Sequence, residues 1–250
     1  MIQLDCTAPK VALITGAAKR LGAEIARTLH ASGISIVVHY HASNSEAQAL
    51  CDELNQSRPE TATMIQADLI NTAALSELIE QSAQQWQRLD ILVNNASAFY
   101  PTPIGTVTED DWDSLLDVNL KAPFFLSQAA ASWLKSTHGC IINIDDIHAL
   151  RPLKDHPVYS ISKTGLRALT LALAKELGPE IRVNGISPGA ILWPETTLTA
   201  QQKNEIISRT TLRRTGNPID IARTVDFLAQ QADYITGQII TVDGGRTLFS

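Results

Sequence analysis

About seven short runs rich in valine, isoleucine and leucine recur along the chain, and helix-length segments lie between them. The runs are residues 10–15, 34–39, 62–66, 89–93, 140–144, 181–186 and 238–242. Segments 23–32, 44–56, 73–86, 110–134, 157–177 and 219–229 have helical patterning. Continuous apolar strands need both faces covered, and a parallel sheet between two helix layers provides that. The alternation predicts an α/β fold: one doubly wound domain over 1–250, with a parallel sheet of about seven strands and helices on both faces. Gly33 should end the first helix, Ser43 or Asn44 should cap the second, and Pro123 should bend the long one. Residues 190–217 read as an irregular polar stretch, a substrate loop.

Length and charge narrow the function. A chain of 250 residues can bury a large core, and a net charge of −6 argues against a general nucleic-acid binder. Cys6, Cys51 and Cys140 are scattered without metal-ligand spacing, so no metal is expected. No apolar run approaches the ~18 residues of a membrane span, and the start lacks a signal-peptide pattern. The expected location is cytoplasmic.

Ligands of a doubly wound sheet sit beyond the strands' C-terminal ends. Asn94, Asp146, Ser187 and Gly189 fall just past such ends. Tyr159 and Lys163 lie four residues apart on the 157–177 helix, hence one turn apart on one face. A tyrosine with a pKa near ~10 is a poor acid–base group at neutral pH; a neighbouring lysine cation favours the phenolate and is expected to lower that value. Alone, such a pair is weak evidence of catalysis. The turn from Gly16 to Gly22, between strand and helix, offers backbone amides and a helix N-terminus to a pyrophosphate. Arg20 stands in it where glycine is commoner. NAD specificity places an acid at the end of the second strand. Here that strand ends His39-Tyr40-His41-Ala42-Ser43, so a 2′-phosphate would meet His41, Ser43 and Arg20, and NADPH is expected over NADH.

Thr15-Gly16 with Gly22, Asn94-Asn95-Ala96, Asn119, Tyr159 with Lys163, and Pro188-Gly189 occur in this order at fitting intervals. Over about residues 8 to 247 the chain resembles the short-chain dehydrogenase/reductase family. The resemblance implies a Rossmann-type oxidoreductase in which Tyr159 is the acid–base group. Lys163 would tune it and hold the nicotinamide ribose, and Asn119 would help a proton-relay water. The implied cofactor contacts are Gly16, Arg20, Leu21, Gly22, His41, Ser43, Asp68, Leu69, Asn95, Ala96, Lys163, Pro188 and Gly189, with Asp68 near the adenine and Asn95 near its ribose. Family members are often homotetramers, built through the long helices and the C-terminal strand region.

One departure is informative. Thirteen residues before the tyrosine most of the family has serine, and this chain has Asp146. A carboxylate beside a carbonyl oxygen gaining negative charge opposes reduction. Beside a ring nitrogen that must gain a proton it helps, as a donor or as support for Tyr159. Asp146 with Arg20, Tyr40-His41, the Ser97-to-Pro103 stretch and the ending Val242-Asp-Gly-Gly245 resembles the pteridine reductase branch. That implies a pterin or folate substrate sandwiched between Phe99 and the nicotinamide. Ser97 and Arg20 would touch pterin or cofactor phosphate, Tyr159 with Asp146 would supply the proton, and Trp193 would be a further substrate contact in the loop Ile191-Leu-Trp193-Pro-Glu195. Branch members often have arginine where this chain has Ala42, which removes one phosphate contact. Two rivals stay open: a ketoacyl-type carbonyl reductase, and a non-catalytic NADP(H)-sensing Rossmann regulator. The regulator would have no need of Tyr159, Lys163 and Asn119 together.

Overall fold

Alternate residues of each strand enter different cores, as the period of two requires. The computed structural model describes residues 9–193 and 198–249; Cys6 and the loop residues Pro194 and Glu195 lie outside them. The strands are β1 (Val11–Ile14), β2 (Ser35–Tyr40), β3 (Ala62–Gln66), β4 (Ile91–Asn94), β5 (Cys140–Ile144), β6 (Arg182–Pro188) and β7 (Ile239–Val242). They form one seven-stranded sheet in the order β3-β2-β1-β4-β5-β6-β7, every pair parallel. The helices are α1 (Arg20–Ala31), α2 (Asn44–Ser57), α3 (Thr72–Gln84), α4 (Glu109–Leu116), α5 (Ala122–Thr137), α6 (Pro157–Leu177), α7 (Ala200–Ser208) and α8 (Pro218–Gln230).

Ala12, Ile14, Ile36, Val38 and Ile142 face one core with Ile25 and Leu29 of α1, Leu50 of α2, and Val225 and Leu228 of α8. Leu13, Val37, Leu92 and Ile141 face the other, with Leu78 of α3, Leu126 and Leu134 of α5, and Ala174 of α6. Each such side chain, taken fully out of water, contributes about 1.5–3 kcal/mol. This is the doubly wound fold expected. Strand order runs outward from β1 one way and from β4 the other, so a crevice opens above the C-terminal ends of these two strands.

Three local expectations need correction. Helix α1 starts at Arg20, so Gly22 lies inside its first turn rather than before it. The long helix does not simply bend at Pro123. A π-helical turn over Asp117–Lys121 separates α4 from α5, with Ala122 N–H donating to the Asp117 carbonyl. Pro123, at the start of α5, has no N–H to continue an α-helical ladder, and the wider turn accommodates that. The 190–217 stretch is not irregular throughout, because it contains α7. A reciprocal cap starts this helix: Thr199 Oγ1 accepts from Gln202 N–H at 3.2 Å, and Gln202 Oε1 accepts from Thr199 N–H at 2.8 Å. The Thr-x-x-Gln signature was available in the sequence. Helix α7 buries no residue, so it has no core-facing stripe to announce it.

Candidate active site

Helix α6 begins with Pro157, whose fixed φ suits a first turn, and carries Tyr159, Lys163 and Arg167 at four-residue spacing. The end of β5 meets this stripe. Tyr159 hydroxyl donates to Asp146 Oδ2 at 2.7 Å, and Lys163 Nζ donates to the Ile144 carbonyl at 2.9 Å. Asp146 Oδ1 also accepts the His148 N–H at 2.8 Å, capping the 3₁₀ turn Ile147–Ala149. Asp146, not Asp145, therefore reaches the tyrosine. The expected lowering of the Tyr159 pKa is overturned. Burial, with the Asp146 carboxylate beside the hydroxyl, pushes it well above the ordinary phenol value. Lys163 Nζ lies 5.9 Å from the ring centroid and is bonded to a backbone carbonyl, too committed to act as a close counter-ion. Burial pulls the Lys163 ammonium below its ordinary value, while Asp146 and Asp145 oppose that pull. Tyr159 thus keeps its proton at neutral pH, as a donor must.

The segment after β4 is locked in place by Asn119. Its Oδ1 accepts from Ala98 N–H at 2.8 Å and Ser97 Oγ at 3.1 Å, and its Nδ2 donates to the Ala98 carbonyl and Ser162 Oγ, both at 3.0 Å. The Asn119 side chain is spent on positioning this loop, so any contact with a relay water would fall to its backbone. Phe99 packs edge-on against Tyr159 (ring centroids 4.8 Å, 83°) and stacks on His156 (4.8 Å, 15°). Phe99 remains 43% exposed, which leaves aromatic surface for a flat ligand. His156 was missed in the sequence; its place just before the Pro157 start of α6 was the available signal. Its Nδ1 lies 2.9 Å from the Lys154 carbonyl, which holds the ring.

The glycine turn is braced from both sides. Thr15 Oγ1 accepts from Asn95 N–H (2.9 Å) and Ala96 N–H (3.0 Å), while Asn95 Nδ2 donates to the Thr15 carbonyl (2.8 Å) and the Gly16 carbonyl (3.1 Å). His39 Nδ1 accepts from Gly16 N–H at 3.0 Å, so Nε2 carries the proton and donates to the Ala67 carbonyl at 3.2 Å. Burial pushes His39 down to about 4, which keeps the ring neutral and in that tautomer. Thr15 and His39 are thus structural parts of the turn that residue type alone did not reveal. With Gly16 N–H and Ala17 N–H both bonded to His39, the amides of Arg20, Leu21 and Gly22 are the ones at the helix start, before Ala23 closes the first bond to Lys19. A Cβ on Gly22 would lie 2.4 Å from the Gly16 carbonyl oxygen, so only glycine closes the turn. Arg20 adopts φ +56°, which explains why glycine is commoner there and costs about 1 kcal/mol or more. Its Nη2 donates to the Trp193 carbonyl at 2.9 Å, joining the glycine turn to the stretch after β6. The Trp193 ring lies 5.6 Å from Lys203 Nζ of α7.

At the end of β2, Ser43 precedes α2 without a side-chain capping bond, and His41 is exposed. His41 Nε2 is 3.9 Å from Asp68 Oδ2, a carboxylate that the sequence did not place there. Asp68 borders a cavity of about 330 Å³ between β3 and α3. Leu69 is buried in the core with Leu13 and Leu92, and half-buried Leu21 packs against the opposite core with Ile14 and Ile25. Gly189 N–H donates to the Val242 carbonyl at 3.0 Å, which holds Pro188–Gly189 against the last strand. A second cavity, about 230 Å³, lies under Ile191, Leu212 and Val242. Neither cavity is lined by Tyr159, so hydrogen-bond geometry, not concavity, marks the chemical centre. Among the described residues no cluster of His, Cys, Asp or Glu could hold a metal, and no helix is long and apolar enough to cross a membrane.

A dinucleotide fits these residues. The turn offers helix-start amides, and β2 is followed by His41 and Ser43 rather than by an acid, with the Asp68 carboxylate beyond His41. A family model described as Enoyl-(Acyl carrier protein) reductase matches residues 16–247. Pteridine reductase 1 of Leishmania tarentolae is 37% identical, with 97% of each chain covered. A 3-oxoacyl-[acyl-carrier-protein] reductase of Synechocystis is 35% identical, covering 96% of this chain and 98% of its own. A blue fluorescent protein from a metagenomic library, solved in complex with NADPH, superposes with a TM-score of 0.89 at 36% identity, covering 95% of this chain and 97% of that one.

Proposed function

The chain belongs to the short-chain dehydrogenase/reductase family, and from that premise we propose that it is an NADPH-dependent pteridine reductase, converting dihydropterins to tetrahydropterins with dihydrofolate as a further substrate. The observation that carries this reading is the 2.7 Å hydrogen bond from Tyr159 to a carboxylate, Asp146, where a ketone reductase needs a neutral donor. When bound, the cofactor supplies a hydride. Tyr159 holds the proton for a ring nitrogen of the substrate, and Asp146 orients that hydroxyl and can relay a replacement proton. Lys163 and the backbone of Asn119 face the ribose and the relay water. The exposed surface of Phe99 takes the flat ring, with Ser97, Arg20 and Trp193 at its edge. The cofactor phosphates go to the amides of Arg20, Leu21 and Gly22, and Gly16, Asn95, Ala96, Asp68, Leu69, Pro188 and Gly189 complete the cradle.

Purified protein should oxidise NADPH with dihydrobiopterin, dihydromonapterin or dihydrofolate faster than with a 3-oxoacyl thioester. The opposite ranking would transfer the assignment to carbonyl reduction, the activity that the Synechocystis relative's name states. Exposed Trp112 and Phe124 on α4 and α5, and Phe227, Tyr234 and Phe249 towards the C-terminus, support a homotetramer; light scattering reads that directly. Unpaired, buried Cys51 and Cys140 are compatible with a reducing cytoplasm.

Two substitutions test the ends of the site. Ser43 makes no capping bond that the substitution could lose, and Ser43→Asp sets a charge beside the 2′-phosphate, so the NADPH-over-NADH ratio of kcat/KM should fall about tenfold or more. A wild type that prefers NADH would show that His41 and Ser43 play no such part. His156→Ala removes the ring stacked on Phe99. It should raise KM for a pterin several-fold, about 1 kcal/mol of lost aromatic pairing, while KM for NADPH stays put and His156→Phe restores the wild-type value. Equal KM in all three proteins would remove His156 from the substrate wall.

A further inference from the structure

The contact between β5 and α6 contains a buried charge that the proton transfer leaves unused. Three consecutive residues meet the helix stripe: the Ile144 carbonyl takes Lys163, Asp146 takes Tyr159, and Asp145 Oδ2 pairs with Arg167 Nη1 at 3.4 Å. The Asp145 side chain is wholly buried, and its Oδ1 has no hydrogen-bond partner among the described residues. A half-satisfied buried carboxylate is costly, and an aliphatic side chain at the end of an apolar strand would avoid that cost. Lys163 supplies the reason for a charge. Burial desolvates its ammonium too, and the Ile144 carbonyl that accepts from it offers a hydrogen bond but no neutralising charge.

We propose that Asp145 is a positioning residue: anchored by Arg167, its carboxylate keeps Lys163 cationic beneath the Tyr159–Asp146 couple. The proposal rests on Tyr159 and Lys163 working as described above. The charged and titratable groups facing Asp145 are Lys163, Arg167 and Tyr159 from α6 and Asp146 from its own strand end. From β6, the Ile186 carbonyl takes the Asp145 N–H at 2.7 Å, and residues 186–188 present no charge. Burial pushes Asp145 up to about 6 against the pull of Lys163 and Arg167. A carboxyl whose folded value is raised holds its proton more tightly when folded. Its stability contribution is therefore fully present below the unfolded carboxyl range and lost as pH rises to about 6. Ionised at neutral pH, Asp145 costs stability and supports Lys163.

The test compares wild type, Asp145→Asn, Arg167→Met and Arg167→Lys, by pH profiles of kcat and by thermal melts. Asp145→Asn should move the alkaline limb down by about one pH unit, because Lys163 loses a counter-charge. The same variant should melt roughly 2–4 °C or more higher near pH 7.5, with no such gain near pH 4.5. Arg167→Met should move the acid limb up, since Asp145 then binds its proton more tightly, and Arg167→Lys should move it back. Wild-type limbs in folded Asp145→Asn and Arg167→Met overturn the proposal, as does a neutral-pH melt of Asp145→Asn no higher than wild type. If Asp145→Asn fails to fold, the two Arg167 variants decide alone. Every profile is also run on a 3-oxoacyl thioester. Failure of the pterin reading then shows as a change of preferred substrate, and failure of this proposal as unmoved limbs on either one.

Discussion

Tyr159→Phe should lower kcat by about 10²–10⁴-fold, the usual contribution of a positioned proton donor, with NADPH affinity largely kept. The ring itself will stay. It is 4% exposed, packs with Leu115 and Val158, and meets Phe99 edge-on at 4.8 Å. Removing the hydroxyl deletes one hydrogen bond, to Asp146, and leaves the apolar contacts as they are. The loss therefore lies in the chemical step. The raised Tyr159 pKa sharpens the expectation, because the group arrives at the reaction protonated. Fluorescence titration with NADPH measures binding, and single-turnover absorbance measures hydride transfer. A Tyr159→Phe enzyme with wild-type turnover would take the acid–base role away from Tyr159.

Asp146→Ser should lower kcat on dihydropterins at least about tenfold, near 1.4 kcal/mol of transition-state stabilisation. The structure gives Asp146 two tasks, accepting the Tyr159 hydroxyl with Oδ2 and capping His148 N–H with Oδ1. Serine can retain the cap, since its hydroxyl serves the same geometry, but it cannot orient the phenol with a second oxygen or relay a proton as an acid. Melting temperature therefore changes little while turnover falls, which separates the chemical role from the structural one. Asp145→Asn should cost less at neutral pH, because Asp145 acts through Lys163. If the natural substrate is a ketone, Asp146→Ser should instead raise activity. Unchanged pterin turnover in Asp146→Ser, or wild-type ketone activity above its pterin activity, would leave only the reductase family standing.

The sheet was legible in the sequence because apolar runs and helix stripes are local patterns, and the parallel order follows from their alternation. The strand cores found match the expected runs to within a few residues, and β1, β2, β4 and β5 kept every residue buried. The parts that failed are those without such a pattern. Helix α7 buries nothing, and the π-turn at Asp117–Lys121 depends on how Pro123 reconciles two helices. The one-turn spacing of Tyr159 and Lys163 and the strand-end place of Asp146 were legible in the sequence, but their part in catalysis was suggested only by the resemblance to the family.

What the chain determined by itself is therefore the alternation, the glycine turn, and the residue types at the strand ends. The tertiary structure decided the rest, because it depends on distances between segments remote in sequence. His39 reaches back 23 residues to Gly16, Asn119 reaches 21 to Ala98, and Arg20 crosses 173 to Trp193. Only packing set the sign of the Tyr159 shift. Spacing promised a nearby cation, but burial and the Asp146 carboxylate outweigh a Lys163 that is held by the Ile144 carbonyl. Electrostatics inside a protein follows solvent exclusion and final distances, and neither is a property of sequence order.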